Sequence, residues 1–137
     1  MEDPLIVAAR EYLETPWVHQ GRLKGVGVDC VGLLVCAGRD AGYTIEDVEG
    51  YPEYPSGTWL LEELERNCVR VYGVTQIGDV LAFAASTQVW HVGLVSGLGP
   101  LVVIHCWRKT KRVVEVQLDE SWRYQIHSVW RLRARNG

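Results

Sequence analysis

Three residues of this 137-residue chain can be assembled into a nucleophilic site: Cys30, His91 and His105. A thiolate, not a thiol, attacks a carbonyl, so the question is what could ionise Cys30. Asp29 has the side chain of a helix N-cap, which places Cys30 in the first turn of a helix, where the macrodipole favours the anion. His91 opens an apolar run after Trp90 and can take the thiol proton or hold it as an imidazolium beside the thiolate. His105 follows 14 residues later, within Ile104-His105-Cys106. If Ser96-Gly97-Leu98-Gly99-Pro100 turns the chain between antiparallel strands, the two histidines become neighbours. His105 then fixes the tautomer of His91, as the third member of a triad does.

Each residue also has a plainer reading. A free cysteine is usually a small buried hydrophobe, and either histidine is satisfied as a core residue. Cys30, His91 and His105 make a poor zinc site, because they lack paired spacing and no two of the four cysteines form a CxxC pair. No metal and no organic cofactor is expected. Cys36 points away from Cys30 on the helix, Cys106 faces the opposite side of its strand from His105, and Cys68 reads as packing at a helix end. His19 reads as a solvent or cleft histidine and His127 as structural.

The elements that must position these groups follow from local signals. Asp3-Pro4 starts a helix, with Leu5, Ala8, Ala9, Tyr12 and Leu13 on one face, and Glu14-Thr15-Pro16 ends it. Residues 17–28 read as a Gly-rich loop. A second helix runs from about Cys30 to Ala41 and stops at Gly42. Residues 43–57 form an irregular loop, and Thr58–Asn67 is a third, amphipathic helix. The second half changes to strand-like runs: Val69–Tyr72, Asp79–Phe83, His91–Val95, Leu101–Trp107, Val113–Leu118 and Ile126–Arg133. Helices followed by neighbouring strands predict an α+β fold, with N-terminal helices packed on an antiparallel sheet.

Length predicts one domain over residues 1–137. The net charge of −3 argues against a nucleic-acid partner, which needs a basic face. No run approaches the roughly 20 apolar residues of a membrane span. No basic amphipathic segment suggests direct membrane binding. The first residues lack a basic n-region, so the expectation is synthesis in the cytosol without a signal peptide, with the thiols free.

Four motifs in register carry a family resemblance. Gly27-Val28-Asp29-Cys30-Val31-Gly32-Leu33-Leu34 resembles the D-C-x-G-L signature around the nucleophile of NlpC-type cell-wall cysteine peptidases. Tyr12-Leu13-Glu14-Thr15-Pro16-Trp17 is similar to their Y-x-G-x-P-Y entry segment. Ile77-Gly78-Asp79-Val80-Leu81-Ala82-Phe83 resembles their G-D-h-h-x-F strand, and His91-Val92-Gly93-Leu94-Val95 resembles the H-V-G-h-h motif of the catalytic histidine. His105 falls at the position of the third polar residue. The resemblance implies a papain-like core, with Cys30, His91 and His105 catalytic. It implies cleavage of peptidoglycan stem peptides, with the Cys30 N–H in an oxyanion hole. Tyr12, Trp17, Asp29 and Trp90 are then the substrate-contact residues, Tyr12 near the nucleophile and Asp29 as cap or amine-recognition group. Val31 in place of serine and Trp17 in place of tyrosine depart from the common pattern and bear on which bond is cut.

The T-P-W-V-H-Q-G-R segment, with Val113, Glu115, Trp122 and Arg131, resembles the small peptidases encoded beside phage-tail or gene-transfer-agent genes. That branch implies assembly in the bacterial cytoplasm onto a virion tail tip or baseplate, and action at the periplasmic wall. Trp59, Trp107 and Trp122 are the expected docking residues on such tail proteins. Rival expectations are a structural tail or baseplate adaptor of weak or no activity, and a thiol-dependent amidase or acyltransferase.

Overall fold

The computed structural model describes residues 2–53 and 56–133. Helix α1 is Pro4–Arg10, started by Asp3, whose carboxylate accepts from the Leu5 and Ile6 N–H groups. A cap of this kind contributes about 1 kcal/mol. The helix ends earlier than the apolar spacing predicts. Tyr12 and Leu13 lie in successive turns beyond it, and Glu14 takes a positive φ of 73°. The Gly-rich stretch is more ordered than expected, because β1 (Arg22–Leu23) and β2 (Gly27–Val28) pair in a short hairpin.

Helix α2 is Cys30–Asp40, capped by Asp29 as expected, and Gly42 turns the chain away at a φ of 95°. Helix α3 is Trp59–Asn67. Six strands then form one antiparallel sheet: β3 (Cys68–Val71), β4 (Val80–Ala85), β5 (Gln88–Gly97), β6 (Val102–Cys106), β7 (Val113–Gln117) and β8 (Ile126–Leu132), in the order β3-β8-β4-β5-β6-β7. A short helix, α4 (Glu120–Tyr124), was not anticipated; at five residues it is too short to show a period.

Strand alternation sorts the apolar residues into two layers. Val80, Ala82, Val92, Leu94, Ile104 and Cys106 join Leu5, Ile6, Ala9 and Val31 of the helices in the larger core. Leu81, Phe83, Val95 and Val103 face the other way, into a smaller cluster against which Trp90 and Trp122 pack. His91 and His105 share the parity of this second set. Leu94 pairs with Ile104, so the turn after Gly97 brings the two histidines onto adjacent strands.

Asp79, almost fully buried, ties the entry of β4 to β8. Its carboxylate accepts from Arg131 Nε at 2.7 Å and Nη2 at 2.9 Å, and from the Gln76 N–H. Glu115 on β7 receives Arg10 of α1. Gly32 of α2 sits where a Cβ would collide with the Gly21 carbonyl oxygen, so the loop before β1 crosses the helix only because that side chain is missing. Gly32→Ala is therefore expected to destabilise the protein by about 1–3 kcal/mol through overpacking. Gly73→Ala, in open space, should stay within about 0.5 kcal/mol of wild type. Urea unfolding of the two variants checks this.

Candidate active site

Asp29 precedes the nucleophile candidate and is itself only 5% exposed. Its Oδ1 accepts from the Gly32 N–H at 2.8 Å and from Arg22 Nη1 at 3.2 Å. Its Oδ2 accepts from the Gln20 N–H at 2.8 Å and from the Tyr51 hydroxyl. Arg22 also forks onto Asp47, at 2.9 and 3.1 Å. Burial, and then the Asp29 charge, push the Tyr51 hydroxyl up, so it stays a donor. Four donors fill the lone-pair positions of one carboxylate, and that carboxylate fixes the first turn of α2.

Cys30 opens α2, and the backbone N–H groups of Val92 and Val31 favour an anion at its sulfur. Burial, with the adjacent Asp29 charge, pushes its thiol up to about 12, while the two N–H groups and Arg22 pull the other way. Cys68 and Cys106 are also raised to about 12, again chiefly by burial. Desolvation therefore opposes the pull toward the thiolate expected of the helix terminus. What sets Cys30 apart is position, since it is half-buried at a cleft that also receives an imidazole.

That imidazole is His91. Its Nε2 lies 2.8 Å from His105 Nδ1, and both residues are at most 2% exposed. Nδ1 is the nitrogen left to serve the cleft. For Nδ1 to accept a proton, Nε2 must carry hydrogen and donate to His105 Nδ1. Aromatic rings enclose the pair. Trp90 stacks on His91 at 5.0 Å, Phe83 lies 5.6 Å from it, and Trp122 lies 5.6 Å from His91 and 5.1 Å from His105. Burial drives His91 well below its ordinary value, with His105 adding to the effect, and burial takes His105 to about 4. Burial thus opposes charge on both the thiol and the histidine pair.

The cleft has a volume of about 220 Å³ and is lined by Cys30 and His91, with His105 behind His91. Trp17 and Trp90 lie in its wall, where a substrate would touch them. Tyr12 does not. Its hydroxyl donates to Asp40 at 2.6 Å, at the last residue of α2, roughly 15 Å along the helix from Cys30. The turns after Arg10 send it there, so its expected place beside the nucleophile is corrected. Asp29 caps α2 as expected, but its four donors leave no lone pair for a substrate amine. Two of the expected docking tryptophans lie in the cleft and not on a surface away from it. Trp59 and Trp107 line the cleft, and Trp122 covers the histidines from behind.

Sequence reasoning missed Arg22, Asp47, Tyr51 and Gln20, which hold Asp29 and the 43–53 loop together. Gln20 bridges the loops, its amide donating to the Tyr51 carbonyl and accepting from the Gly50 N–H. Only the polar residues flanking the D-C motif hinted at this network.

No protein-family model and no curated protein matches the chain. Solved structures do. An NlpC/P60 family protein from Bacillus cereus superposes with a TM-score of 0.71 at 26% identity, over 93% of this chain and 38% of its own. A lipoprotein-like NLP/P60 protein from Staphylococcus aureus gives 0.71 at 18% identity, over 94% and 40%. The NlpC/p60 domain of the peptidoglycan hydrolase SagA gives 0.62 at 19%, over 92% and 94%. The chain thus spans about two fifths of the first two proteins and nearly all of the third domain. Its fold is the NlpC/P60-type, papain-like α+β core.

The two buried histidines make stability depend on pH. Their folded values lie below the ordinary 6.5, so between 6.5 and about 4 the unfolded chain binds more protons than the native one. The contribution is complete above pH 6.5 and falls as pH drops through that window, by up to ~1.4 kcal/mol per pH unit for each histidine. Urea midpoints measured from pH 7.5 to 4.5 should fall, and His105→Gln should flatten the slope.

Proposed function

We propose that this protein is a cysteine peptidase that cuts peptidoglycan stem peptides. The observation that carries the reading is the meeting of Cys30, at the start of α2, with the His91–His105 pair at one cleft of an NlpC/P60-type fold. The Cys30 sulfur attacks the scissile carbonyl as its proton passes to His91 Nδ1. The imidazolium keeps Nε2–H on His105 and gives the Nδ1 proton to the leaving amine. The resulting thioester is hydrolysed by water, with His91 again the base. Backbone N–H groups at the open end of α2, that of Cys30 included, stabilise the tetrahedral oxyanion. Burial disfavours charge on both Cys30 and His91, which favours moving the proton as attack proceeds.

Digestion of purified sacculi by wild type should release peptide fragments of defined mass. Cys30→Ala should abolish release, and His91→Ala should lower it by about 10²–10⁴-fold. Equal product from Cys30→Ala defeats the proposal. His105→Asn should retain more activity than His91→Ala, because it removes the support and not the base.

We further propose that the enzyme travels on the tail tip or baseplate of a phage or phage-like particle and opens the wall for DNA entry. The T-P-W-V-H-Q-G-R segment and its accompanying residues support this. Mass spectrometry of purified particles should find the chain. Particles carrying Cys30→Ala should assemble normally and enter cells poorly. Undiminished entry would favour the structural adaptor, and absence from particles would remove the tail assignment.

A further inference from the structure

Every carboxylate lining the cleft among the described residues already has an arginine. Asp29 is paired with Arg22 and Glu53 with Arg108, the latter at 3.8 Å. Asp29 matters more, because it adjoins Cys30 and is nearly inaccessible. Its four acceptor positions are taken by Gly32, Arg22, Gln20 and Tyr51. A substrate ammonium arriving there would have to displace a guanidinium that is itself held by Asp47 and by the Tyr51 hydroxyl, at 3.0 Å. Without that displacement the ammonium is desolvated beside a charge already neutralised. Aromatic rings also line the cleft: Trp17, and Tyr51 stacked on Trp59 with ring centroids 4.4 Å apart.

We propose that Arg22 sets substrate choice by occupying Asp29, so that the enzyme acts on stem peptides whose N-terminal nitrogen is acylated. Such peptides are still amide-linked to the glycan strand, unlike released peptides with a free α-amine. This rests on the peptidase reading above. Arg22 is a positioning residue here, acting through Asp29 and not on the reacting atoms. The neutral amide end leaves the Arg22–Asp29 pair intact, whereas a free amine at Asp29 meets a carboxylate whose four acceptor positions are already filled. The preference therefore belongs to the substrate's N-terminus and not to the bond that is cut.

The test compares three substrates with the same peptide sequence: a disaccharide-linked stem peptide, the peptide freed from its sugar, and the freed peptide N-acetylated. For wild type, kcat/KM should be at least about tenfold higher for the linked and acetylated forms than for the free amine, a difference of ~1.4 kcal/mol. The acetylated form separates a blocked amine from a sugar contact. Arg22→Gln should uncover Asp29 and bring the ratio to parity or reverse it, whereas general structural damage would lower all three rates together. Free-amine cleavage by wild type as fast as acetylated cleavage overturns the inference and leaves the peptidase reading standing. If wild type leaves all three substrates and intact sacculi uncut, the peptidase reading falls, and this inference with it.

Discussion

One buried carboxylate holds the site in place. Asp29 caps α2, and through that cap it fixes the backbone from which the Cys30 sulfur projects. The same carboxylate gathers the 17–22 segment through Gln20 and Arg22, and the 43–53 loop through Tyr51. A buried charge is tolerated only when its lone pairs are filled. Here the filling groups come from segments up to 22 residues away in the chain. Removing the carboxylate would leave Arg22 half-paired, the helix end uncapped and the cleft wall unanchored at once. The missing Cβ of Gly32 belongs to this constraint, because it lets the Gly21 backbone approach closely enough for Gln20 and Arg22 to reach Asp29.

The histidine side is built on a different principle, exclusion of water. Trp90, Phe83 and Trp122 shield the imidazoles, and that shielding keeps both rings uncharged. A base with a depressed pKa is always available at neutral pH but weakly driven, and a thiol with a raised pKa parts with its proton reluctantly. Against burial, the Val92 and Val31 N–H groups favour an anion at the Cys30 sulfur.

Most of the frame was legible from local signals. The Asp3-Pro4 and Asp29 caps, the Gly42 stop, six strand runs and the turn that pairs β5 with β6 each act within a few residues. The His91–His105 contact followed from that turn. What escaped were arrangements set by distant partners. Nothing within ten residues of Arg22 reveals that it forks onto Asp47 while holding Asp29. Tyr12 went astray because its motif fixes a place in the chain, while the turns after Arg10 fix where the ring goes. The tryptophans could not be sorted into surface and cleft, because a ring of that size serves either equally well in a sequence.

The residues behind the finer, tail-branch resemblance all have work inside the domain. Trp17 lines the cleft. Glu115 receives Arg10 from α1, Trp122 covers the histidine pair, and Arg131 closes on Asp79. Val113 is buried, and its carbonyl accepts from the Glu14 N–H, fixing the turns that carry the chain from α1 toward the cleft. A pattern made of such residues describes how a scaffold shapes and dries its active site. Only Trp17 among them lines the cleft; the others tie the scaffold together or pack behind the histidines, so each has a structural role besides any it has in carriage.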